Sequence, residues 1–158
     1  MQEKSFCYNA QPNMFFLETF ELEVNTTGGT DILDLTPGVA EKVQASGMAA
    51  GLLNLFIAGS TAALTTIEYE SGVVNDLRDA IERLFPKDLT YEHDRRWGDG
   101  NGYSHVRAAF LKPSLNIPIA DGRLILGTWQ QIVLLDFDNR PRQRRIRGQI
   151  MGIKPANG

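Results

Sequence analysis

The sequence predicts a sheet-dominated α+β domain, and three observations predict it. Phe20, Leu22 and Val24 alternate with Glu21 and Glu23, the period of a strand with one wet face. Two segments, beginning near Thr36 and Ser71, place apolar residues at helical spacing between start and stop signals. From Tyr103 onward, short apolar runs follow one another with tight-turn dipeptides between them. Strands in meander order with two helices interposed make an α+β domain rather than alternating βαβ units.

The first strand covers Phe15 to Val24, and Asn25 to Thr30 is a turn cluster. The first helix is capped by Thr36, takes Pro37 at its first position, and stops at Gly47, where a left-handed C-cap belongs. Leu52–Ile57 and Ala62–Tyr69 read as strands joined at Gly59-Ser60-Thr61, the first apolar enough to be covered on both faces. The second helix runs from Val73 to Phe85. Ser71 is its expected cap and Pro86 its stop, and Asp76, Asp79 and Glu82 face water. Pro86 to Gly102 is a long loop, which the Tyr91 and Trp97 rings should pack down. Strands are then expected over Tyr103–Leu111, Leu115–Ile119, Leu124–Leu126, Ile132–Phe137 and Arg145–Ile153, with turns at Asp121-Gly122 and Asp138-Asn139.

A chain of 158 residues is expected to form one domain, its core about 14–153, and at this length roughly 70% of the unfolded surface can be buried without staples. Cys7 stands alone, so no internal disulfide forms, which fits a reducing compartment. No signal peptide is recognisable at Met1–Phe6, and no apolar run reaches the ~18 residues of a membrane span. A cytoplasmic protein is expected. Residues 1–70 carry two Lys and nine Asp or Glu, whereas 71–158 carry fourteen Lys or Arg and ten Asp or Glu. That excess is small and the whole chain has net charge -3, which argues against bulk nucleic-acid binding and leaves room for a local anion site.

The chemistry concentrates between Tyr91 and His105, which holds both histidines, three glycines, carboxylates and two arginines. On the expected strand, His105 and Arg107 share one face, a pairing suited to acid/base work beside an anionic group. Structural hydrogen bonding is the plainer account of His105. His93 and His105 could both ligate a metal, with a third ligand from Glu68, Asp94 or Asp99, although the spacing matches no standard zinc motif. Glu68 closes an apolar strand and is either a base with a raised pKa or an edge charge. Ser60 and Thr61 lie in a turn able to cradle a phosphate, without Walker spacing. Trp129 and Gln130 can stack on and hydrogen-bond a ring, or anchor a subunit contact. The five arginines between Arg140 and Arg147 follow a hairpin turn at Asn139-Arg140-Pro141 and read as a solvated, guarded strand edge rather than an RNA grip.

The order Ser60-Thr61-Ala62-Ala63-Leu64, Glu68, Tyr91–His93, Asn101, Ser104-His105-Val106-Arg107, Pro113-Ser114-Leu115, Ile117-Pro118, Asp121-Gly122-Arg123-Leu124 and Leu126-Gly127-Thr128-Trp129-Gln130 resembles the YjbQ-like family, whose members are often labelled secondary thiamine-phosphate synthase. The resemblance spans roughly Phe20 to Ile150. It implies a bifurcated antiparallel β-sheet sandwich with two main helices, a homotrimer, and a cleft near subunit contacts. It also carries over Glu68, His93, Asn101, His105 and Arg107 as the polar set, with Thr61 and Gln130 nearby. Gly59 stands where many members of that family have histidine.

The resulting expectation is an enzyme acting on a small phosphorylated substrate, coupling a hydroxymethylpyrimidine diphosphate to a thiazole phosphate. Glu68, His105 and Arg107 would be catalytic, and Ser60, Thr61, Asn101 and Gln130 would bind. Arg95 or Arg96 would serve as further donors, and Mg²⁺ or Zn²⁺ would assist, with His93 and His105 as metal ligands. The alternative is a trimeric metal- or ligand-binding protein without catalysis of its own.

Overall fold

A computed structural model describes residues 15–155; Cys7 and the N-terminal stretch read above lie outside them. The elements, in order, are β1 Phe15–Thr26, β2 Asp31–Asp34, α1 Thr36–Ser46, β3 Ala50–Ile57, β4 Ala62–Ile67, α2 Ser71–Leu84, α3 Glu92–Trp97, α4 Gly102–Leu111, β5 Ser114–Ala120, β6 Arg123–Leu124, β7 Gln131–Asp136 and β8 Arg142–Ile153. All pairings are antiparallel, in a five-stranded sheet ordered β1-β8-β3-β5-β6 and a three-stranded sheet ordered β2-β7-β4. The fold is α+β, as the sequence predicts.

Strand alternation sorts the core into two seams. Leu53, Leu55 and Ile57 of β3, with Ile146 and Ile150 of β8, face Ala62, Leu64, Ile132 and Leu134 of the small sheet, and Val39 and Val43 of α1 close that seam. The opposite face of the small sheet, with Ala63, Val133, Leu135 and Phe137, packs under α2 and α4 through Ile81 and Ala108. The molecule is therefore three layers: large sheet, small sheet, helices. The strand covered on both faces is β7, whereas β3 turns Phe56 outward, 43% exposed. Leu52–Ile57 is apolar but for Asn54, yet only its Leu53, Leu55 and Ile57 face enters the core.

The largest correction is α4. Tyr103–Leu111 is a helix, not a strand. Ser104, Arg107, Ala108 and Leu111 recur at helical spacing and meet the small sheet or α2, while Val106 and Phe110 lie outside, 40% and 66% exposed. His105 and Arg107, two residues apart, consequently diverge instead of sharing a face.

The caps differ as well. Thr36 is the first residue of α1, and its hydroxyl accepts from Ile132 N (2.8 Å), tying the helix to β7; Gly47 ends α1 in the left-handed region as expected (φ 66°). Glu70, not Ser71, caps α2, its carboxylate accepting from the N–H groups of Gly72 and Val73. Those two bonds hold the Glu70 carboxyl below its ordinary value. Asp121 (φ 50°) and Gly122 (φ 71°) turn the β5–β6 hairpin with the paired positive φ that a two-residue connection needs.

Two expected hairpins are crossings between sheets. The Gly59–Thr61 turn carries the chain from β3 in the large sheet to β4 in the small one, and Phe137–Pro141 carries it back from β7 to β8. β8 lies between β1 and β3, so the arginine run is not on a sheet edge. No helix among the described residues is long and apolar enough to cross a membrane.

Candidate functional site

Both crossings reach the same end of the sandwich, and α3 and α4 lie over it. Together they line an open cleft of about 510 Å³ containing Ser60, Thr61, His93, Asp99, Asn101, His105, Asp138, Arg142 and Arg144, with Trp97 at the rim. Its floor is ionic. Asp136, fully buried on β7, accepts from Arg144 Nε (2.6 Å) and Nη2 (2.5 Å) on β8 and from Thr26 Oγ1 (2.5 Å) on β1. Asp138, also buried, accepts at Oδ2 from Thr61 Oγ1 (2.8 Å) and Arg142 Nε (2.9 Å). Burial pushes the Asp138 carboxyl up, but the Thr61 hydroxyl and the Arg142 and Arg144 charges outweigh it and hold the group below its ordinary value. Asp138 Oδ1 is buried with no hydrogen-bond partner among the described residues.

Each guanidinium keeps a donor in reserve. Nη1 of Arg142 and Nη1 of Arg144 make no hydrogen bond among the described residues. Gly59 (φ 140°) brings backbone beside Arg144, where a Cβ would lie 3.4 Å from Nη1. Gly59 thus has a conformation few side-chain-bearing residues adopt.

Above the floor, His93 of α3 and His105 in the first turn of α4 stack with ring centroids 4.4 Å apart and planes at 35°. With its amide turned so that the nitrogen faces them, the orientation that satisfies both its ends, Asn101, the N-cap residue of α4, donates to His105 Nε2 (3.3 Å) and to both Asp99 oxygens (3.2 and 3.3 Å). His93 Nδ1 stands 3.3 Å from Asp99 and 3.6 Å from Asp94. The arrangement offers proton donors and acceptors on the roof and cationic donors on the floor, which suits an anionic ligand undergoing proton transfer.

The structure brings together Ser60, Thr61, His93, Asn101 and His105, and holds three other expected residues away. Arg107 is 1% exposed and rivets the helical layer: Nη1 donates to Thr30 Oγ1 (3.0 Å), Nε to Phe85 O (3.0 Å) and Nη2 to Glu82 (2.7 Å). Glu82 is thus a partner of α4 as well as a water-facing charge, its side chain 46% exposed. Glu68 is exposed just beyond the far end of β4, seven residues or roughly 23 Å of strand from Thr61. Gln130 sits at that far end too, donating to Thr66 Oγ1 (3.0 Å) and accepting from Gly127 N (3.0 Å). A carboxylate that closes a strand and a hydroxyl that opens it share a sequence neighbourhood but not a site. Arg95 pairs with Glu92, and Arg96 lies over the Trp97 ring, itself 66% exposed rather than packed.

Sequence reasoning passed over Asp138, Arg142 and Arg144 as parts of the site. Their signal is a carboxylate pair two residues apart, ending an apolar strand, followed closely by an arginine pair with the same spacing. Buried charges of opposite sign in matching alternation are a pairing pattern, not a solvated face.

Residues 20–153 match the family described as UPF0047 protein YjbQ-like. A UPF0047 protein of Methanothermobacter thermautotrophicus is 36% identical over 139 residues, covering 87% of this chain and 95% of the relative. One from Mycobacterium tuberculosis is 37% identical over 131 residues, covering 83% and 96%. Among solved structures, a hypothetical protein of Aeropyrum pernix K1 superimposes with TM-score 0.79 at 30% identity, covering 85% of this chain and 98% of that one. A protein of unknown function from Sulfolobus solfataricus P2 gives TM-score 0.78 at 28% identity, covering 87% and 99%. Sequence, topology and fold agree, and the chain belongs to the UPF0047 (YjbQ-like) family.

Proposed function

We propose that the cleft binds a small phosphorylated molecule and that the protein is a transferase of the thiamine-phosphate synthase type, coupling a hydroxymethylpyrimidine diphosphate to a thiazole phosphate. The observation that carries this reading is the stacked His93–His105 pair facing Arg142 and Arg144 across one cleft. In that coupling the thiazole nitrogen forms a bond to the pyrimidine methylene carbon, and the carbon–oxygen bond to diphosphate breaks with its electron pair on the leaving group. The reserved guanidinium donors neutralise the developing charge, and an imidazole, His105 by its place over the floor, gives the departing oxygen a proton. Glu68, Arg107 and Gln130 have no part in this version of the chemistry.

The test is a coupling assay on the purified protein with H105A and R142A beside it. Loss of about 10²-fold or more is expected in each. Absence of turnover in the parent protein, or full activity in H105A, defeats the reading. A ligand- or metal-binding protein without catalysis is the second reading, favoured by the carboxylates gathered beside His93. It is the better account if pyrophosphate binds, R142A weakens that binding, and no product forms. A cytoplasmic homotrimer completes the proposal. Phe15, Leu17 and Phe56 leave apolar surface on the outer face of the large sheet, and sedimentation equilibrium should return three times the 17.6 kDa chain mass.

A further inference from the structure

The geometry points to a divalent transition-metal site at the mouth of this cleft, formed by His93 Nδ1, Asp94 and Asp99, with zinc the class of ion it fits. Ligand atoms of these three residues lie within 4.8 Å of one another. His93 Nδ1 is buried and has no hydrogen-bond partner among the described residues, although two carboxylates stand beside it. Its distances to them, 3.3 and 3.6 Å, exceed the ~2.7–2.9 Å of a charge-assisted hydrogen bond. Donor atoms sharing a tetrahedral zinc at about 2.0–2.2 Å stand roughly 3.3–3.6 Å apart. The two distances from His93 Nδ1 match those between ligands of a common ion.

The surroundings agree. Asp94 Oδ1 accepts from Gly102 N–H (2.8 Å), and the Asn101 amide nitrogen, turned inward, lies 3.2 and 3.3 Å from the two oxygens of Asp99, so a neighbouring donor holds each carboxylate in place. The Asp99 backbone carbonyl accepts from Asn139 Nδ2 (2.8 Å), which pins the loop to the β7–β8 crossing. A second, independent feature lies across the cleft, where the fully buried Asp138 keeps one oxygen without a partner. One imidazole nitrogen with two carboxylates favours zinc or a neighbouring first-row ion over the all-oxygen preference of calcium or magnesium. Three protein ligands leave a coordination position open toward the cleft. The ligand set replaces the His93–His105 pair expected from sequence: the two rings stack against each other, and His93 turns Nδ1 toward the carboxylates.

The inference concerns the cleft of the proposed function but stands on its own residues, and its test uses the metal alone. The full chain, freed of metal by chelator dialysis, is titrated with Zn²⁺ by calorimetry and with Co²⁺ by visible absorption. One equivalent is expected to bind, with the intense d–d bands of a four-coordinate site. H93Q and D99N should each weaken binding by about 10-fold or more, and E41Q, an exposed carboxylate on α1, should leave it unchanged. Far-UV circular dichroism confirms that each variant is folded; D99N, on an exposed loop, keeps the test decisive if H93Q does not fold. No saturable binding, or equal binding by the parent, H93Q and D99N, overturns the site. Pyrophosphate titrations of the metal-free protein and R142A report on the phosphate reading separately.

Discussion

Arg107 and Thr61 illustrate how buried polar side chains divide between scaffold and cleft. Arg107 spends its guanidinium on Thr30, Phe85 and Glu82, within the helical layer. Burial pushes the Glu82 carboxyl up, yet the Lys87 backbone N–H and the Arg107 charge prevail and hold it below its ordinary value. Replacing Arg107 with Ala should cost about 3–5 kcal/mol in urea denaturation, because the carbonyl and carboxylate partners lose their donor and a cavity opens. Pyrophosphate affinity per folded molecule should not change. Thr61→Val probes the floor of the cleft instead. It removes a hydroxyl from a carboxylate that already lacks one partner, and should destabilise the fold by about 1–3 kcal/mol. The sign of the pH effect follows from the depressed Asp138 value: its contribution is full above the unfolded value near 3.8 and disappears as pH falls through the lower folded value. In T61V that gap narrows, so the stability difference between parent and variant should shrink on acidification from pH 6 to pH 2, measured by denaturation at each pH.

At the scale of elements, legibility followed the strength of the local signal. α1 and α2 were readable because Pro37, Gly47 and Pro86 punctuate them and their apolar residues keep one period. α4 was not, because Tyr103, Val106 and Phe110 favour a strand, and alternation placed His105 and Arg107 together. The deciding fact, Ala108 and Leu111 docking against the small sheet, is tertiary. The two expected secondary structures predict opposite outcomes for Val106→Ala: on an exposed helix position it should add about 0.5 kcal/mol of stability, whereas a strand would lose stability. β2 was missed because four residues after a glycine-rich turn carry almost no period. The arginine run was legible as a strand but not as a central one. Arg145 and Arg147 reach Glu21 and Glu23 on β1 in the open, whereas Arg144 turns inward to Asp136. Replacing Arg147 with Ala should therefore change stability by less than about 1 kcal/mol.

For the whole molecule, the sequence conveyed the class and the family but not which ends of the strands meet. Five of the eight expected site residues cluster; Glu68 and Gln130 separate because β4 is a rigid spacer beyond Thr61, and Arg107 because the helix α4 turns it away to Glu82. The strand expected over Ala62–Tyr69 already implies the Thr61–Glu68 distance; what no propensity or motif encodes is which end of it α3, α4 and the β7–β8 crossing cover. Closure of the large sheet depends on its most distant partners, since β1 pairs with β8 along twelve residues from Phe15↔Ile153 to Thr26↔Arg142. A chain lacking residues 1–26 would leave one edge of β8 unpaired and uncover the seam that Phe20, Leu22 and Val24 pack against, and should not give a cooperative thermal transition.

The Asp136 carboxylate carries a consequence of its own. It rises from the small sheet and is gripped by Arg144 and Thr26, both in the large sheet, directly beneath the cleft. The sandwich is in effect stitched shut at the place where a guest would sit, so the pocket cannot gape unless its two walls part. Occupancy should accordingly slow amide exchange along β7 and β8, many residues from any contact, and a freely swinging lid would leave those amides untouched.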